Sequence, residues 1–229
     1  MKRRGKRYLA DLEKAPTEPV PLTEAANRVK AFKSTAFDQT VEICTSLGID
    51  PRQADQMLRG SLSLPHGIGQ TRRVVAFCSE ELVPQAKEAG AVEAGGEELV
   101  QRIEDGWMDF DVAIASPDMM RVVARLGKTL GPKGLMPSPK SGTVTPKVAE
   151  AVAEYAAGKV EFRNDAGGNV HAGIGKKDSF SADQLAENAK AFIDHIMRIK
   201  PSSAKGQYLR KIALSCTMTP SVPIQYWSA

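Results

Sequence analysis

Along the 229 residues the spacing of apolar positions changes twice, and the three stretches it marks predict different structures. In the middle stretch, Val74-Val-Ala-Phe-Cys78 and Val112-Ala-Ile-Ala115 are continuous apolar runs, the pattern of strands covered on both faces. They predict strands over 73–78 and 111–116, with helices over 79–89, 97–104, 117–126 and 145–157. Ser79 is placed to cap the first of these helices and Pro117 to open the third. This order of elements reads as an α/β unit built on a short parallel sheet.

The flanking stretches alternate instead. A polar N-terminal helix leads to a helix over 22–32 with Thr23 as its N-cap. Next come an alternating strand over 40–47, a short helix from Asp50-Pro51 and a second strand over 60–64. On the far side, strands over 160–163 and 170–172 are joined by Asn164-Asp-Ala-Gly-Gly-Asn169, a hairpin signal. A helix over 182–198 places Leu185, Ala189, Phe192, Ile193 and Ile196 on one face, and an alternating strand over 208–218 follows. Two strands do not make a stable sheet alone. The expectation is therefore that 1–67 and 160–229 fold together as one discontinuous α+β domain, a split β-α-β-like antiparallel sheet with helices. Residues 68–159 would be inserted as a three-layer, Rossmann-like α/β domain, joined through a hinge near 66–72 and 158–159.

The composition, 42% hydrophobic and 25% charged, is globular and argues against disorder. The start, Met1-Lys-Arg-Arg-Gly-Lys-Arg7, opens like a signal peptide, but Asp11, Glu13 and Lys14 fall where its apolar core belongs. No run approaches the roughly 18 apolar residues of a membrane helix, so no membrane association is expected. Cys44, Cys78 and Cys216 are odd in number and widely spaced, which fits small core fillers in a reducing cytosol.

A net charge of +4 conceals strong segregation: residues 68–159 sum to −2 and the flanks to +6. Within the middle stretch, residues 80–118 hold 11 acids against Lys87 and Arg102, whereas 119–149 hold six bases and no acid. Such a division points to a polyanionic partner met by the flanks and by one end of the middle stretch. The basic end contains Gly131-Pro-Lys-Gly-Leu-Met-Pro-Ser-Pro-Lys-Ser-Gly142. Its prolines exclude regular helix or strand, and Gly131, Gly134 and Gly142 permit left-handed turns and close backbone approach. Lys133 and Lys140 are its candidate phosphate ligands. The same composition also suits a plain solvated connection.

Enzyme signatures fail. Gly127-Lys128-Thr129 has Val122 where a phosphate-binding loop needs glycine, and Gly67-Ile-Gly69 meets Arg72 where a dinucleotide fingerprint needs its third glycine. His66, His171 and His195 are far apart with no metal-like spacing. Asp109 and Asp111 suit turns or caps better than acid/base work. No catalytic residue, metal or cofactor is expected. The alternative left open is an α/β nucleotide-binding enzyme using the cationic loop.

Several separated motifs nonetheless carry a resemblance. Leu130-Gly-Pro-Lys-Gly-Leu-Met-Pro-Ser-Pro-Lys140 with Gly142-Thr-Val, together with Gly106-Trp-Met-Asp-Phe-Asp111, Ser63-Leu-Pro-His-Gly67, Phe162-Arg-Asn-Asp165 and Thr217-Met218, resembles the bacterial L-one family of large-subunit ribosomal proteins. The match runs through nearly the whole chain in order. It implies a cytoplasmic protein, monomeric off the ribosome, that binds large-subunit ribosomal RNA at the mobile side stalk. It also implies contact with exit-site tRNA and repression of translation through the leader of the protein's own mRNA. Carried onto this sequence, the primary RNA surface falls on Phe37, Thr40, Thr217 and Met218, with Lys30, Lys33, Arg163 and Lys205 as phosphate contacts. Gly131, Lys133, Gly134 and Lys140 form a secondary contact. The chain departs from the family at Thr219, where glycine is usual and where a side chain narrows the approach of RNA. Its closing Tyr226-Trp227 lies outside the pattern, as an idle tail.

Overall fold

The structure, a computed structural model, describes residues 5–226. Its elements begin with α1 (Lys6–Lys14), α2 (Leu22–Ala31), β1 (Thr40–Leu47), β2 (Arg59–Leu62), β3 (Val74–Phe77), α3 (Val83–Glu88), β4 (Glu93–Gly95), α4 (Glu97–Glu104) and β5 (Val112–Ala115). They continue with α5 (Met120–Val123), α6 (Gly127–Leu130), α7 (Val148–Ala156), β6 (Val160–Arg163), β7 (Asn169–Lys176), α8 (Ala182–Arg198), β8 (Leu209–Cys216) and β9 (Val222–Ile224). Two compact units result, one from the residues up to Gly69 with those from Val160 onward, the other from Gln70–Lys159.

The first unit holds a four-stranded antiparallel sheet in the order β7-β1-β8-β9 and a separate pair, β2 with β6. Alternation in β1 buries Val41, Ile43, Thr45 and Leu47. These residues share one core with Ala25, Val29, Leu185, Ala189, Phe192, Ile193 and Ile196 of α2 and α8. Burying each large aliphatic or aromatic side chain stabilises by about 1.5–3 kcal/mol, so this face fixes the register. A capping box starts α8: Gln184 N–H donates to Ser181 Oγ at 3.2 Å, and Ser181 N–H to Gln184 Oε1 at 2.9 Å.

The second unit carries a parallel sheet, β4-β3-β5. Every residue of β3 and β5 is buried. Val75, Phe77, Ala113 and Ala115 pack with Leu99, Ile103, Val123 and Leu126 on one side. Val74, Ala76, Val112 and Ile114 pack with Ala86, Val148, Val152 and Tyr155 on the other.

Several elements differ from the sequence expectation. β4 is a strand the pattern did not show, because its three residues are only half-buried at the sheet edge. The helix expected over 117–126 breaks into α5, a 3-10 turn at Ala124–Leu126 and α6, so the cationic stretch starts helical. The helix expected from 145 begins at Val148 because the chain just before it adds to the sheet: Val144 bridges Ala115, and Thr145 N–H donates to Ala115 O. Thr23 lies inside α2 and caps nothing; its carbonyl accepts from Asn27 Nδ2. Residues 50–57 form turns rather than a helix, with Asp50 Oδ1 accepting from Arg52 N–H. The 164–169 turn closes on the Asn164–Val170 bridge, after which β6 and β7 leave for different sheets. Asp109 and Asp111 cap nothing and instead accept from the Arg73 guanidinium. A further strand, β9, pairs with β8, and Tyr226 packs on the core. The tail is thus structural at Tyr226; Trp227 lies outside the described residues.

Candidate nucleic-acid interface

β1 is central and antiparallel to both neighbours, so the end where β1 starts is the end where β7 and β8 finish. Thr40 is opposite Lys176 and Val41 opposite Cys216. Just beyond β8, Thr217 N–H donates to Thr40 O at 3.2 Å, while Thr217 Oγ1 accepts from Thr40 N–H at 3.2 Å. Met218 N–H donates to Gln39 Oε1 at 3.0 Å. Four of the residues singled out from the sequence, Phe37, Thr40, Thr217 and Met218, therefore lie at one sheet end. Phe37 and Met218 are 51% and 49% exposed, high for an aromatic and a thioether.

The four basic companions divide. Lys33 is exposed at this end, its N–H donating to Asp11 Oδ1. Lys30 is half-buried and its ammonium donates to Phe180 O, so it is partly committed to the fold. Arg163 and Lys205 are exposed at the opposite end, one beside the start of β7 and the other ahead of β8. The eight residues of β7 separate the two ends by about 24 Å at about 3.4 Å per step. Arg163 and Lys205 do not converge with Phe37 and Met218.

Sequence reasoning missed what supports this end. Lys176 Nζ donates to Thr40 Oγ1 at 2.9 Å, which leaves the Thr40 hydroxyl proton free to donate outward. Lys177 is buried; its ammonium donates to Phe32 O and to Ser34 Oγ, holding the segment that carries Phe37. Asp38 braces the same segment by accepting from Asp178 N–H at 2.9 Å and Ser179 Oγ at 2.7 Å. Burial pushes the Asp38 carboxyl up, but these hydrogen bonds and the Lys176 charge outweigh it and hold the group below its usual value. Two consecutive lysines at the end of an alternating run were the signal available.

The sheet also has an uncovered face. Its outward residues are short: Cys44, Ser46, Gly173, Ala213 and Ser215, with Glu42, His171 and Lys211. Cys44 is accordingly half-buried and not the core filler expected, unlike Cys78 and Cys216. Thr219 folds back: its hydroxyl accepts from Cys216 N–H at 3.0 Å and donates to Pro220 O at 3.2 Å.

In the second unit Arg121, Arg125, Lys128, Lys133, Lys140 and Lys147 are all exposed. Among the described residues only Lys147 has a carboxylate partner, Glu150. The loop beneath them is built, not slack. Ser138 N–H donates to Thr143 Oγ1 at 2.8 Å, and the buried Tyr155 hydroxyl donates to Ser141 O at 2.6 Å. Gly134 and Gly142 take left-handed φ of 72° and 75°, whereas Gly131 is helical at −57°.

A family model described as Ribosomal protein L1p/L10e family matches residues 29–220. The chain belongs to that family. The large ribosomal subunit protein uL1 of Rhodopirellula baltica is 56% identical over 224 residues, 98% of this chain and 99% of that protein. Those of Thermus thermophilus and Corynebacterium kroppenstedtii are 49% and 50% identical over 226 residues, 98% of this chain and 98% and 94% of those proteins.

As a member of the L1p/L10e family the chain is a structural ribosomal protein, not an enzyme. The geometry agrees where a nucleotide enzyme would differ. The cavity at the C-terminal end of β3 and β4, about 700 Å3, is the usual ligand position of a parallel sheet. Here Glu80, Glu97 and Glu98 line it with Lys87 as the one base among the described lining residues, an unfavourable setting for phosphate. Among the described residues no three His, Cys, Asp or Glu side chains group as metal ligands, and no helix is long and apolar enough to cross a membrane.

Proposed function

We propose that this L1p/L10e protein binds large-subunit ribosomal RNA at the mobile side stalk, through the end of the antiparallel sheet that carries Phe37, Thr40, Thr217 and Met218. The observation that carries the reading is their convergence. An exposed aromatic and an exposed thioether, chemistry for covering sugars and base faces, stand beside a threonine hydroxyl whose proton is free for a 2′-OH. Lys33 supplies charge at the same end, and the short side chains of the bare sheet face admit a backbone closely. Arg163 and Lys205 then serve only an RNA long enough to reach the far end.

The loop bearing Gly131, Lys133, Gly134 and Lys140 is a second, mainly electrostatic contact in the inserted unit, suited to exit-site tRNA. Repression of the protein's own mRNA would use the primary surface on a leader that folds like the stalk. The protein is a monomer until it joins the large subunit in the cytoplasm.

Filter binding of the side-stalk RNA tests this. Affinity should fall steeply with salt. Thr217→Ala and Met218→Ala should each weaken binding by about tenfold, about 1.4 kcal/mol, without unfolding the chain, and Lys133→Ala by less. Unaltered affinity in both sheet-end variants would remove the primary site from this position.

A further inference from the structure

β7 changes phase just before it reaches the sheet end. Along most of the strand His171 and Gly173 face outward, opposite Cys44 and Glu42, while Val170 and Ala172 are buried. Ile174 and Gly175 are then both buried, because a β-bulge sets Gly173 against Glu42 and Gly175 against Val41, with Ile174 as the extra residue. Plain alternation would bury Lys176; the bulge instead delivers it to the outward face, opposite Thr40. The bulge requires its glycine. Gly175 has a φ of 154°, and a Cβ there would lie 2.9 Å from Leu185 Cδ2 and 3.2 Å from the Phe180 ring.

The re-aimed lysine sets a hydrogen-bond polarity. An ammonium has three donors and no acceptor. Lys176 Nζ, 2.9 Å from Thr40 Oγ1, therefore makes that hydroxyl an acceptor on one side and turns its proton away. The Thr217 hydroxyl is committed in the opposite sense: its proton goes to Thr40 O at 3.4 Å, and its oxygen accepts from Thr40 N–H at 3.2 Å and keeps a second lone pair. Of the two hydroxyls, Thr40 offers a proton and Thr217 an acceptor. Both border the Thr40 backbone, so one ribose can meet both.

We infer that Lys176 makes this sheet end selective for ribose, by fixing the Thr40 hydroxyl as a donor to a 2′-OH oxygen beside the Thr217 oxygen that takes the 2′-OH proton. A 2′-OH is donor and acceptor at once, and it is the group by which a protein tells RNA from DNA at a given site. A deoxyribose leaves both threonines unpaired. Lys176 is a positioning residue here, since it acts on the ribose through Thr40, and its charge adds a general attraction for phosphate. The inference rests on the sheet end being the RNA surface and names the group read there.

The test uses the full chain and synthetic side-stalk RNAs that each carry a single 2′-deoxy nucleotide, position by position. For the unaltered chain at least one position should cost about tenfold in affinity. Thr40→Val should erase the cost at that position, and Thr40→Ser should keep it. Lys176→Met, which leaves the Thr40 hydroxyl free to rotate, should cut that cost to about twofold and lower the log–log salt slope by about one for every RNA. Lys176→Arg, again a pure donor, should restore the deoxy cost. A lysine acting only as charge or support would weaken all the RNAs alike. The inference is overturned if the deoxy profile of Lys176→Met matches that of the unaltered chain, or if no position loses its cost in Thr40→Val. The primary surface then still stands, provided Thr217→Ala and Met218→Ala bind weakly. Should the unaltered chain fail to bind the side-stalk RNA, the functional reading falls and this one with it. Should Lys176→Met fail to fold, Lys176→Ala replaces it with the same expected profile.

Discussion

Asn188, in the middle of α8, has its side chain fully buried, and all of its polar capacity goes to backbone. Its Oδ1 accepts from His66 N–H at 3.1 Å, and its Nδ2 donates to Gly67 O at 3.0 Å and to Ile174 O at 2.8 Å. It therefore joins α8, β7 and the segment at 66–67, three places that no sheet pairing connects. Asn188→Ala removes three hydrogen bonds worth about 1 kcal/mol each and recovers about 0.5 kcal/mol of helix propensity, a net loss of about 2.5 kcal/mol. With two compact units a single melting transition is an unsafe measure. Native-state hydrogen exchange is better, because it reports each unit separately. The most protected amides of β1 and α8 should exchange about 70-fold faster, the equivalent of about 2.5 kcal/mol, while those of β3 and β5 should not change. A shift below about fivefold, or an equal shift in both units, would refute the assignment of these bonds as a local clamp.

Two other outcomes follow from the same coordinates. A Cβ on Gly48 would lie 2.2 Å from Gln207 O, and the backbone there is tied by Gly48 N–H to Tyr208 O at 2.7 Å. Gly48→Ala should cost about 1–3 kcal/mol by overpacking, read as a lower urea midpoint, with RNA affinity of the folded fraction retained at the distant sheet end. Asp38, Asp111 and Asp165 are held below the ordinary aspartate value of 3.8. For a depressed carboxyl the stabilisation is complete above the unfolded value and is lost as pH falls through the folded one. Asp38→Asn should thus be less stable than wild type at neutral pH, with the difference shrinking in thermal melts as pH falls below the ordinary value of 3.8.

Strong periodicity was read correctly: β1, α4, β6 and α8 have the bounds that alternation or helical spacing predicts. Failures came where local pattern competes with tertiary hydrogen bonding. Thr23 and Asp50 look like helix starts, but Pro21 already precedes α2, and the Asp50 carboxylate turns the chain instead of capping a helix. The 164–169 segment has hairpin composition, yet β7 gains more by joining β1 than by extending along β6. At the candidate site, Phe37, Thr217 and Met218 came from the resemblance, since an isolated phenylalanine and methionine ordinarily read as core. Lys177 was hinted at only by the lysine pair ending β7, and Gln39 gave no signal, because both hold a loop through backbone groups more than 100 residues away. Arg163 and Lys205 were grouped with this surface by charge, and the sequence does not say that they lie at the other end of the strands.

The central position of β1 sets a schedule for synthesis. Its partners, β7 and β8, lie more than 120 residues downstream, and β1 does not pair with β2, the next strand made. The parallel sheet, by contrast, draws all its strands from the interior of the polypeptide. A nascent chain can therefore complete the inserted unit while the N-terminal flank still waits for neighbours, and such long-range closure is slow. The threonine and methionine of the sheet end, Thr217 and Met218, follow directly on β8, the later of these two partners. That sheet end is complete only once β8 has been made and has paired with β1.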